Sequence, residues 1–262
     1  MKKILLIVLT FIATFGLVGC QSSLTDLDYI MEKESFILGF TDFPPMGYLE
    51  NGKATGFDID LAQAVMDKLG VKLETKYLDW DAKVVELKAK RIDAVWNGLS
   101  ITQKRQKEMT FSKPYFNNNL IIIAKTEENI NTIADLEGKN IGVESQTSAD
   151  ISVSKNTEIL NNIDKFKKYN TSAEAILALN AGQVNAVIVD EIYARYVVLK
   201  ETGTKYTIGT ETIEGEQYGI GFRLGDEVLR DKIDIIIDEL YEEGVISEIS
   251  IKYFGIDLFV RE

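Results

Sequence analysis

Strand-like and helix-like segments alternate along most of this chain, and that alternation restricts the fold to a few architectures. Segment 36–40 has the composition of a buried strand, and segment 56–70 repeats apolar residues every four positions, as an amphipathic helix does. Further strand, helix and strand patterns follow as far as residue 95. A β-α-β-α-β order predicts a mostly parallel sheet with helices on both faces.

The alternation starts again in the second part of the chain. Strand-like runs at 119–125, 140–145 and 185–190 are separated by helical patterns, and a long amphipathic helix begins near residue 226. Two similar α/β halves predict two lobes. Because ligands of open α/β sheets bind beyond the carboxyl ends of the strands, we expect the strand ends WNGLS, VESQTS and VVDE to meet in one site between the lobes.

The N-terminus has a different composition from the rest of the chain. Two lysines precede an apolar run at 4–18, which is short for a membrane-spanning helix and predicts a signal peptide over residues 1–19. The sequence LVGC then ends in Cys20, the only cysteine, and it resembles a bacterial lipobox. We expect cleavage before Cys20, attachment of lipid such as palmitate to it, and a linker over 20–35. The alternative is an ordinary signal peptide followed by an incidental cysteine.

The charge and the missing residue types exclude several functions. The chain carries 29 basic and 41 acidic residues, a formal net charge of −12, which argues against nucleic acid and anionic membrane surfaces as partners. Histidine is absent, and its absence removes Ser-His-Asp and Cys-His machinery and the usual zinc sites. We therefore expect no metal and no cofactor.

The segment WNGLSITQKR offers several groups that bind a carboxylate. It leaves a buried strand through the turn Asn97-Gly98 and places the hydroxyl of Ser100 and the guanidinium of Arg105 close behind. A glycine lets a ligand approach the main chain, and a guanidinium pairs with a carboxylate through two hydrogen bonds. The alternative for Arg105 is an ordinary surface arginine.

Other candidates lie at further strand and helix ends. Asp190 ends the apolar run AVIVD, where a poorly hydrated carboxylate favours a cation such as an ammonium group. Ser148 begins a helix and points its amide and hydroxyl at an anion; for both residues the alternative is a plain helix cap. The rings of Phe43 and Trp80 could clamp a side chain, and the alternative for both is the core.

Six segments carry a resemblance to a known family. In chain order they are FPPMGY, GFDIDLAQAVMDKLG, WDAKVVELKAKRIDAVWNGLSITQKRQKEMTFSKPY, DLEGKNIGVESQTSA, VVDEIYA and YGIGFR. They resemble the bacterial extracellular solute-binding proteins of polar amino-acid ABC transporters, of the glutamine-, cystine- and basic-amino-acid-binding type, in a lipoprotein form. The resemblance covers residues 35–259. It implies a two-lobed, periplasmic-binding-protein-like α/β fold, in which each lobe is a mostly parallel sheet flanked by helices.

The resemblance also implies where the lobes begin and end. Two crossover strands would join them, near residues 116–118 and 214–217. Lobe 1 would then comprise residues 36–116 plus 217–262, and lobe 2 residues 117–216.

The resemblance assigns roles to the candidates at the site. Arg105 would bind the ligand's α-carboxylate, helped by Ser100 and Ser148. Asp190 and the Gly98 carbonyl would hold the α-ammonium. Phe43 and Trp80 would flank the side chain of the ligand.

Three positions depart from the family pattern. The segment before Phe43 is one residue short, so that Asp42 takes the place of a family acid. Gln146 stands where glycine is common, and Glu144 occupies a position that varies with the ligand. With Asp42 and Glu144 near two rings, and no basic residue at the matched positions, the pocket favours a basic amino acid such as arginine.

The expected function is capture of a free amino acid by a monomeric receptor, which is lipid-anchored outside the cytoplasm and delivers its ligand to an ABC permease in the membrane. Glutamine and cystine are the alternative ligands. An enzyme on the same bilobal fold, such as a cyclic-acid dehydratase, would need a base, for which Glu144 is the one loose candidate. A sensor domain is disfavoured because no transmembrane or kinase segment follows residues 254–257.

Replacing Cys20 by serine tests the predicted lipid anchor. If Cys20 is the acylated residue, Cys20→Ser should move the protein from the membrane fraction to the soluble fraction. Mass spectrometry of the wild-type N-terminus provides the control. An unmodified Cys20 in the membrane-bound wild-type protein would exclude lipidation.

Overall fold

The computed structural model describes residues 24–200 and 205–261. The predicted signal peptide and Cys20 lie outside the described residues. The strands, in chain order, are β1 (Ser35–Phe40), β2 (Tyr48–Glu50), β3 (Lys53–Thr55), β4 (Lys72–Tyr77), β5 (Ala94–Val95), β6 (Met109–Phe111), β7 (Phe116–Lys125), β8 (Asn140–Glu144), β9 (Lys165–Tyr169), β10 (Ala186–Asp190), β11 (Tyr206–Ile208), β12 (Glu214–Tyr218) and β13 (Gly221–Arg223). The α-helices are α1 (Asp26–Lys33), α2 (Phe57–Leu69), α3 (Lys83–Lys88), α4 (Ser148–Lys155), α5 (Thr157–Asn162), α6 (Ser172–Asn180), α7 (Glu191–Lys200), α8 (Glu227–Glu242) and α9 (Val245–Phe254). No helix in this part of the chain is long and apolar enough to cross a membrane.

Five strands form the first sheet, in the order β4-β1-β5-β13-β6. Strand β1 pairs in parallel with β4 and β5, whereas β13 pairs antiparallel with both β5 and β6. Strand β13 is thus the one strand of this sheet that runs against the others. It returns to the first sheet after the chain has completed the second.

The second sheet has the order β11-β7-β10-β8-β9, and β12 also pairs with β7. The pairs β10–β8 and β8–β9 are parallel, whereas β7 is antiparallel to β10, β11 and β12. Strand β7 alone therefore runs against its neighbours among the described strands of this sheet. The prediction of a two-lobed α/β fold with mostly parallel sheets is confirmed.

An antiparallel ribbon of β7 and β12 lies where the chain passes between the two sheets. Its register runs from Leu120 opposite Glu214 to Phe116 opposite Tyr218. Phe116 also bridges to Phe259, so that the start of the ribbon is held against the C-terminal part of lobe 1. Both strands of the ribbon belong to the second sheet, and the lobe boundaries at 116/117 and 216/217 stay a prediction.

The predicted linker over 20–35 is wrong for residues 26–33, which form helix α1. Thr25 caps this helix: its side chain accepts a hydrogen bond from the Asp28 amide at 3.0 Å, and the Asp28 side chain accepts one from the Thr25 amide at 3.0 Å. Such a reciprocal capping box satisfies donors that a helix start otherwise leaves free. Ile30 is fully buried and Lys33 pairs with buried Asp93, so this segment belongs to lobe 1.

Helix α2 connects the first sheet to the site. Phe57, Leu61 and Val65 are fully buried along one face, as the four-residue spacing predicts, and the helix ends at Gly70 in the left-handed conformation. Asp58, in its first turn, is also fully buried. This carboxylate faces the loop that follows β5, and it is the link between the helix and the candidate site.

Candidate ligand-binding site

A cavity lies between the lobes, at the carboxyl ends of strands from both sheets. Its lining residues follow β1, β4 and β5 in the first sheet and stand at the ends of β8 and β10, or just beyond them, in the second. They are Thr41, Phe43, Trp80, Asn97, Gly98, Ser100, Arg105, Glu144, Thr147, Ser148 and Asp190. Nine of the ten ligand-binding residues predicted from the sequence are in this set. The cavity volume is about 20 Å³, room for about one water molecule.

Asp42 is the predicted site residue that does not line the cavity. Its Oδ1 accepts a hydrogen bond from the amide of Leu49 at 2.9 Å. The carboxylate therefore supports the turn into the β2–β3 hairpin. Its neighbour Phe43 points into the cleft instead, because successive side chains of an extended segment face opposite ways.

Arg105 is buried although it stands in a short 3-10 helix, Arg105–Lys107. Its side chain is 4% exposed. Nη1 donates to the Ser100 carbonyl at 2.9 Å, and Nη2 donates to the Gln146 carbonyl of the opposite lobe at 3.2 Å. Burial lowers the pKa of Arg105, and the nearby carboxylates oppose that shift. Because Arg105 is buried, the alternative interpretation of it as an ordinary surface arginine is excluded.

The hydroxyls of Ser100 and Ser148 meet across the cleft. Ser100 Oγ lies 3.2 Å from Ser148 Oγ, and both residues are buried. Ser148 is the first residue of α4, but Thr147 is the cap: its Oγ1 accepts a hydrogen bond from the Asp150 amide at 3.3 Å. The reading of Ser148 as a plain helix cap is therefore wrong, and its hydroxyl is directed at the other lobe.

Asp190, the last residue of β10, faces the cavity from lobe 2 and is 6% exposed. Its Oδ1 accepts hydrogen bonds from Asn118 Nδ2 at 2.8 Å and from the hydroxyl of Tyr218. Burial raises the pKa of Asp190 well above its usual range, and the negative charge of Glu216 raises it further. A cation placed here would oppose both effects.

Glu144, the last residue of β8, is 6% exposed and lines the same cavity. Its Oε2 accepts hydrogen bonds from the amide of Ser172 at 2.8 Å and from its hydroxyl at 2.6 Å. Ser172 is the first residue of α6, whose N-terminus favours a negative charge. Burial raises the pKa of Glu144 to about 7, although the Ser172 hydrogen bonds and Lys83 act to lower it.

Two aromatic rings of lobe 1, Phe43 and Trp80, line the cavity. Phe43 stacks on Tyr193 of α7 with ring centroids 5.6 Å apart and an interplanar angle of 6°. Trp80 is buried, and Lys83 Nζ lies 4.5 Å from its ring centroid. Neither the stacking partner Tyr193 nor the cation Lys83 follows from the sequence pattern, which places no basic residue at the positions matched to the family.

Lys83 lies behind Trp80 and outside the lining of the cavity. Its Nζ donates to the Trp80 carbonyl at 2.8 Å and to the Gln146 carbonyl of the other lobe at 3.5 Å. Burial and the neighbouring Arg105 lower the pKa of Lys83 to about 7. Gln146 itself has φ of +55°, a conformation that glycine adopts most easily, which explains why the family pattern favours glycine there.

Asn97 and Gly98 build the wall that faces Phe43. Asn97 Oδ1 accepts from the Thr41 amide at 2.9 Å, and its Nδ2 donates to the Gly47 carbonyl at 3.1 Å. These two bonds fix the loop that carries Phe43. Asn97 thus positions an aromatic ring and also lines the cavity, and its contact with a ligand stays a prediction.

The Gly98 amide is tied to the buried carboxylate of helix α2. It donates to Asp58 Oδ2 at 2.7 Å, and the Tyr115 hydroxyl donates to Oδ1 at 2.9 Å. Burial raises the pKa of Asp58 to about 7 while these two bonds lower it. With its amide engaged by Asp58, Gly98 can offer its carbonyl oxygen to a ligand.

Comparisons with known proteins identify the family of this chain. The family model of the bacterial extracellular solute-binding proteins, family 3, matches residues 37–256. The match spans both lobes and every residue that lines the cavity. The chain belongs to this family, and the family resemblance inferred from the sequence is confirmed.

Individual relatives and a solved structure cover most of the chain. The L-cystine-binding protein TcyJ of Escherichia coli is 30% identical over 236 residues, 88% of this chain and 87% of that protein. The arginine-binding extracellular protein ArtP of Bacillus subtilis is 28% identical over 257 residues, 97% and 98% of the two chains. The crystal structure of a substrate-binding protein of an ABC uptake transporter from Streptococcus pneumoniae, with bound histidine, has a TM-score of 0.86 and 32% identity, covering 90% of this chain and 98% of that one.

Alanine in place of Gly98 should damage the site more than the same change at a matched glycine. Gly98 has φ of +57°, and an added Cβ would lie 2.7 Å from Phe43 Cε1; Gly52 has φ of +76° with open space around it. Both variants pay about 1–2 kcal/mol for the left-handed conformation. Overpacking should cost Gly98→Ala about 1–3 kcal/mol more, measured by urea unfolding. Equal losses in the two variants would show that the Phe43 ring moves away freely.

Proposed function

We propose that this protein binds a free polar amino acid between its lobes and delivers it to the permease of an ABC importer. One observation carries the proposal: a buried guanidinium, Arg105, and a buried carboxylate, Asp190, line the same small cavity. A free α-amino acid carries the complementary carboxylate and ammonium on one carbon atom, Cα. The binding of amino acids by the named relatives agrees with this proposal.

The neighbouring groups support an assignment of the two ends of the ligand. Arg105 receives the α-carboxylate, with the hydroxyls of Ser100 and Ser148 as further donors, since all three converge on one side of the cavity. Asp190 and the Gly98 carbonyl receive the α-ammonium. Charge-assisted bonds of this kind are about twice as strong as neutral ones.

Ligand entry requires the lobes to separate. A volume of about 20 Å³ accepts about one water molecule, far less than an amino acid needs. The β7–β12 ribbon is the part of the chain that can bend, because it joins the two sheets. Arg105, Lys83 and Phe43 then meet their partners on the opposite lobe only when the cleft closes.

A basic amino acid, arginine in particular, is the ligand that we favour. Glu144 faces the cavity and carries a negative charge above about pH 7. The rings of Phe43 and Trp80 attract a guanidinium or ammonium group. The positive charge of Lys83 is directed at two carbonyl oxygens, not into the cavity. Glutamine and cystine remain the alternatives, the second because of the similarity to an L-cystine-binding protein.

Binding without catalysis fits the site better than a cyclic-acid dehydratase does. The one candidate base, Glu144, has Oε2 held by two hydrogen bonds from Ser172. The two other charged residues of the cavity, Arg105 and Asp190, complement the α-carboxylate and the α-ammonium of an amino acid. The family consists of solute-binding proteins, which is the role proposed here.

We place the protein outside the cytoplasm as a monomer that is lipid-anchored to the cell membrane. The relatives named above include an extracellular protein. The lipobox-like LVGC, ending in Cys20, supports the anchor. A tether at this point leaves the lobes free to reach a permease in the same membrane.

A thermal-shift screen against the twenty amino acids tests the ligand, with Glu144→Gln as the matched variant. Ligand at 100 times its dissociation constant adds about 2.7 kcal/mol of stability, which is several degrees. Arginine should give the largest shift and glutamate or aspartate the smallest. Because burial raises the pKa of Glu144 to about 7, Glu144→Gln should weaken arginine binding at about pH 8 more than at about pH 6. A preference for acidic amino acids would contradict the charge assignment.

Removing the guanidinium of Arg105 should nearly abolish binding. Leaving a ligand carboxylate unpaired in the closed cleft costs about 2–5 kcal/mol, a loss of about 30- to 4,000-fold in affinity. Arg105→Lys should remain clearly impaired because one ammonium cannot reproduce the fork of donors. Calorimetry measures both variants, with the exposed Lys107→Ala as control. Wild-type affinity in Arg105→Ala would refute the assignment.

A further inference from the structure

Glu216 is a second carboxylate beside the proposed amino-acid site, and nothing in the sequence pattern pointed to it. It stands on β12, opposite Asn118 of β7, in the ribbon that joins the lobes. Asn118 Nδ2 donates to Glu216 Oε2 at 3.0 Å and to Asp190 Oδ1 at 2.8 Å. One amide group therefore links Glu216 to the carboxylate that is proposed to hold the ligand's ammonium.

The groups around Glu216 are those expected to bind the ligand's carboxylate. Burial raises the pKa of Glu216, whereas hydrogen bonds with Ser148, Asn118 and Ser100 and the positive charge of Arg105 act to lower it. Ser100 bridges to Tyr218, the Ile101 amide donates to the Gln217 carbonyl at 2.8 Å, and Ser148 lines the same outer cavity as Glu216, so the start of this loop and Ser148 lie next to the strand that carries Glu216. The two serine hydroxyls are 3.2 Å apart, so one carboxylate can engage both.

Space for the Glu216 side chain to move lies on the other side of the serine pair. A cavity of about 630 Å³ is bounded there by the loop after Ser100, by helix α4 and by Glu214, Gly215 and Glu216. Glu216 does not line the small cavity between the lobes. Its carboxylate can thus leave the serines toward this outer cavity without crossing the ligand.

We propose that the Glu216 carboxylate competes with the ligand's α-carboxylate for Ser100, Ser148 and Arg105. When the ligand binds, its α-carboxylate displaces the Glu216 side chain toward the outer cavity. This proposal rests on the amino-acid-binding function given above. In the ligand-free protein, Glu216 neutralises Arg105 when the lobes close. Amino-acid binding replaces the Glu216 carboxylate with the ligand's α-carboxylate. Because the Glu216 contacts are lost, the affinity is lower than the ligand's own contacts would produce.

Calorimetry of Glu216→Gln against Glu214→Gln tests the competition. Both changes remove one carboxylate from β12, and Glu214 is exposed. With L-arginine as the probe, Glu216→Gln should bind about tenfold more tightly, about 1.4 kcal/mol, whereas Glu214→Gln should match the wild type. L-glutamine should gain by a similar factor, because the competition concerns the α-carboxylate that both ligands share. Unchanged or weaker binding in Glu216→Gln would overturn the proposal.

A second measurement needs no ligand and separates this proposal from the function on which it rests. In protein with Cys20→Ser, cysteines introduced at the exposed residues Lys53 and Lys165 carry spin labels, one on each lobe. Without ligand, Glu216→Gln should shift the distance distribution toward the open arrangement, because Arg105 loses its counter-charge in the closed cleft. Glu214→Gln should leave it unchanged. An unshifted distribution in Glu216→Gln would overturn the role of Glu216, whereas failure of every amino acid to bind the wild type would overturn the proposed function.

Discussion

A buried guanidinium and a buried carboxylate, brought to one cavity from opposite lobes, set the requirement that the rest of the cleft has to meet. Arg105 is 4% exposed and Asp190 is 6% exposed, and each ion removed from water costs several kcal/mol if it lacks partners. Neutral dipoles offset much of that cost: main-chain carbonyls, including that of Gln146, accept from Arg105, while Asn118 and Tyr218 donate to Asp190. Arg105 and Asp190 thus each have their own hydrogen-bond partners and are not paired with each other. Both remain able to bind the oppositely charged groups of a zwitterion.

The parts of the fold and site that the sequence predicts are those determined by local periodicity. The alternation of strands and helices predicts two α/β lobes, and strand ends predict most of the cavity lining, because a parallel sheet gathers its carboxyl ends at one edge. Glu144 and Asp190 are the last residues of β8 and β10. Their places follow from the strand pattern alone. Helix α1 was missed because its apolar face is short and its start depends on the capping residue Thr25.

The parts that could not be predicted depend on pairings between distant segments. Tyr193 reaches Phe43 only when lobe 2 packs against lobe 1, and Lys83 reaches the Gln146 carbonyl in the same way. Glu216 lies near the serines because of the β7–β12 register; a shift of one residue would turn its side chain to the other face. Sequence periodicity contains no information about such a register when the paired segments, here 116–120 and 214–218, are mostly polar.

Lobe closure and ligand recognition share the same atoms in this cleft. Arg105 donates across the cleft to the Gln146 carbonyl. In the proposed complex, a ligand carboxylate bound to this guanidinium would replace that direct bond between the lobes with a bridge through the ligand. The ligand therefore stabilises the closed arrangement only by a difference of two free energies. One is the free energy of its contacts in the closed cleft, and the other is that of the protein's own contacts that it replaces. In the proposal made above, the carboxylate of Glu216, which is hydrogen-bonded to Asn118 and lines a cavity with Ser148, reduces that difference. In this proposal, the affinity for the ligand depends on the β7–β12 ribbon as well as on the residues that line the cavity.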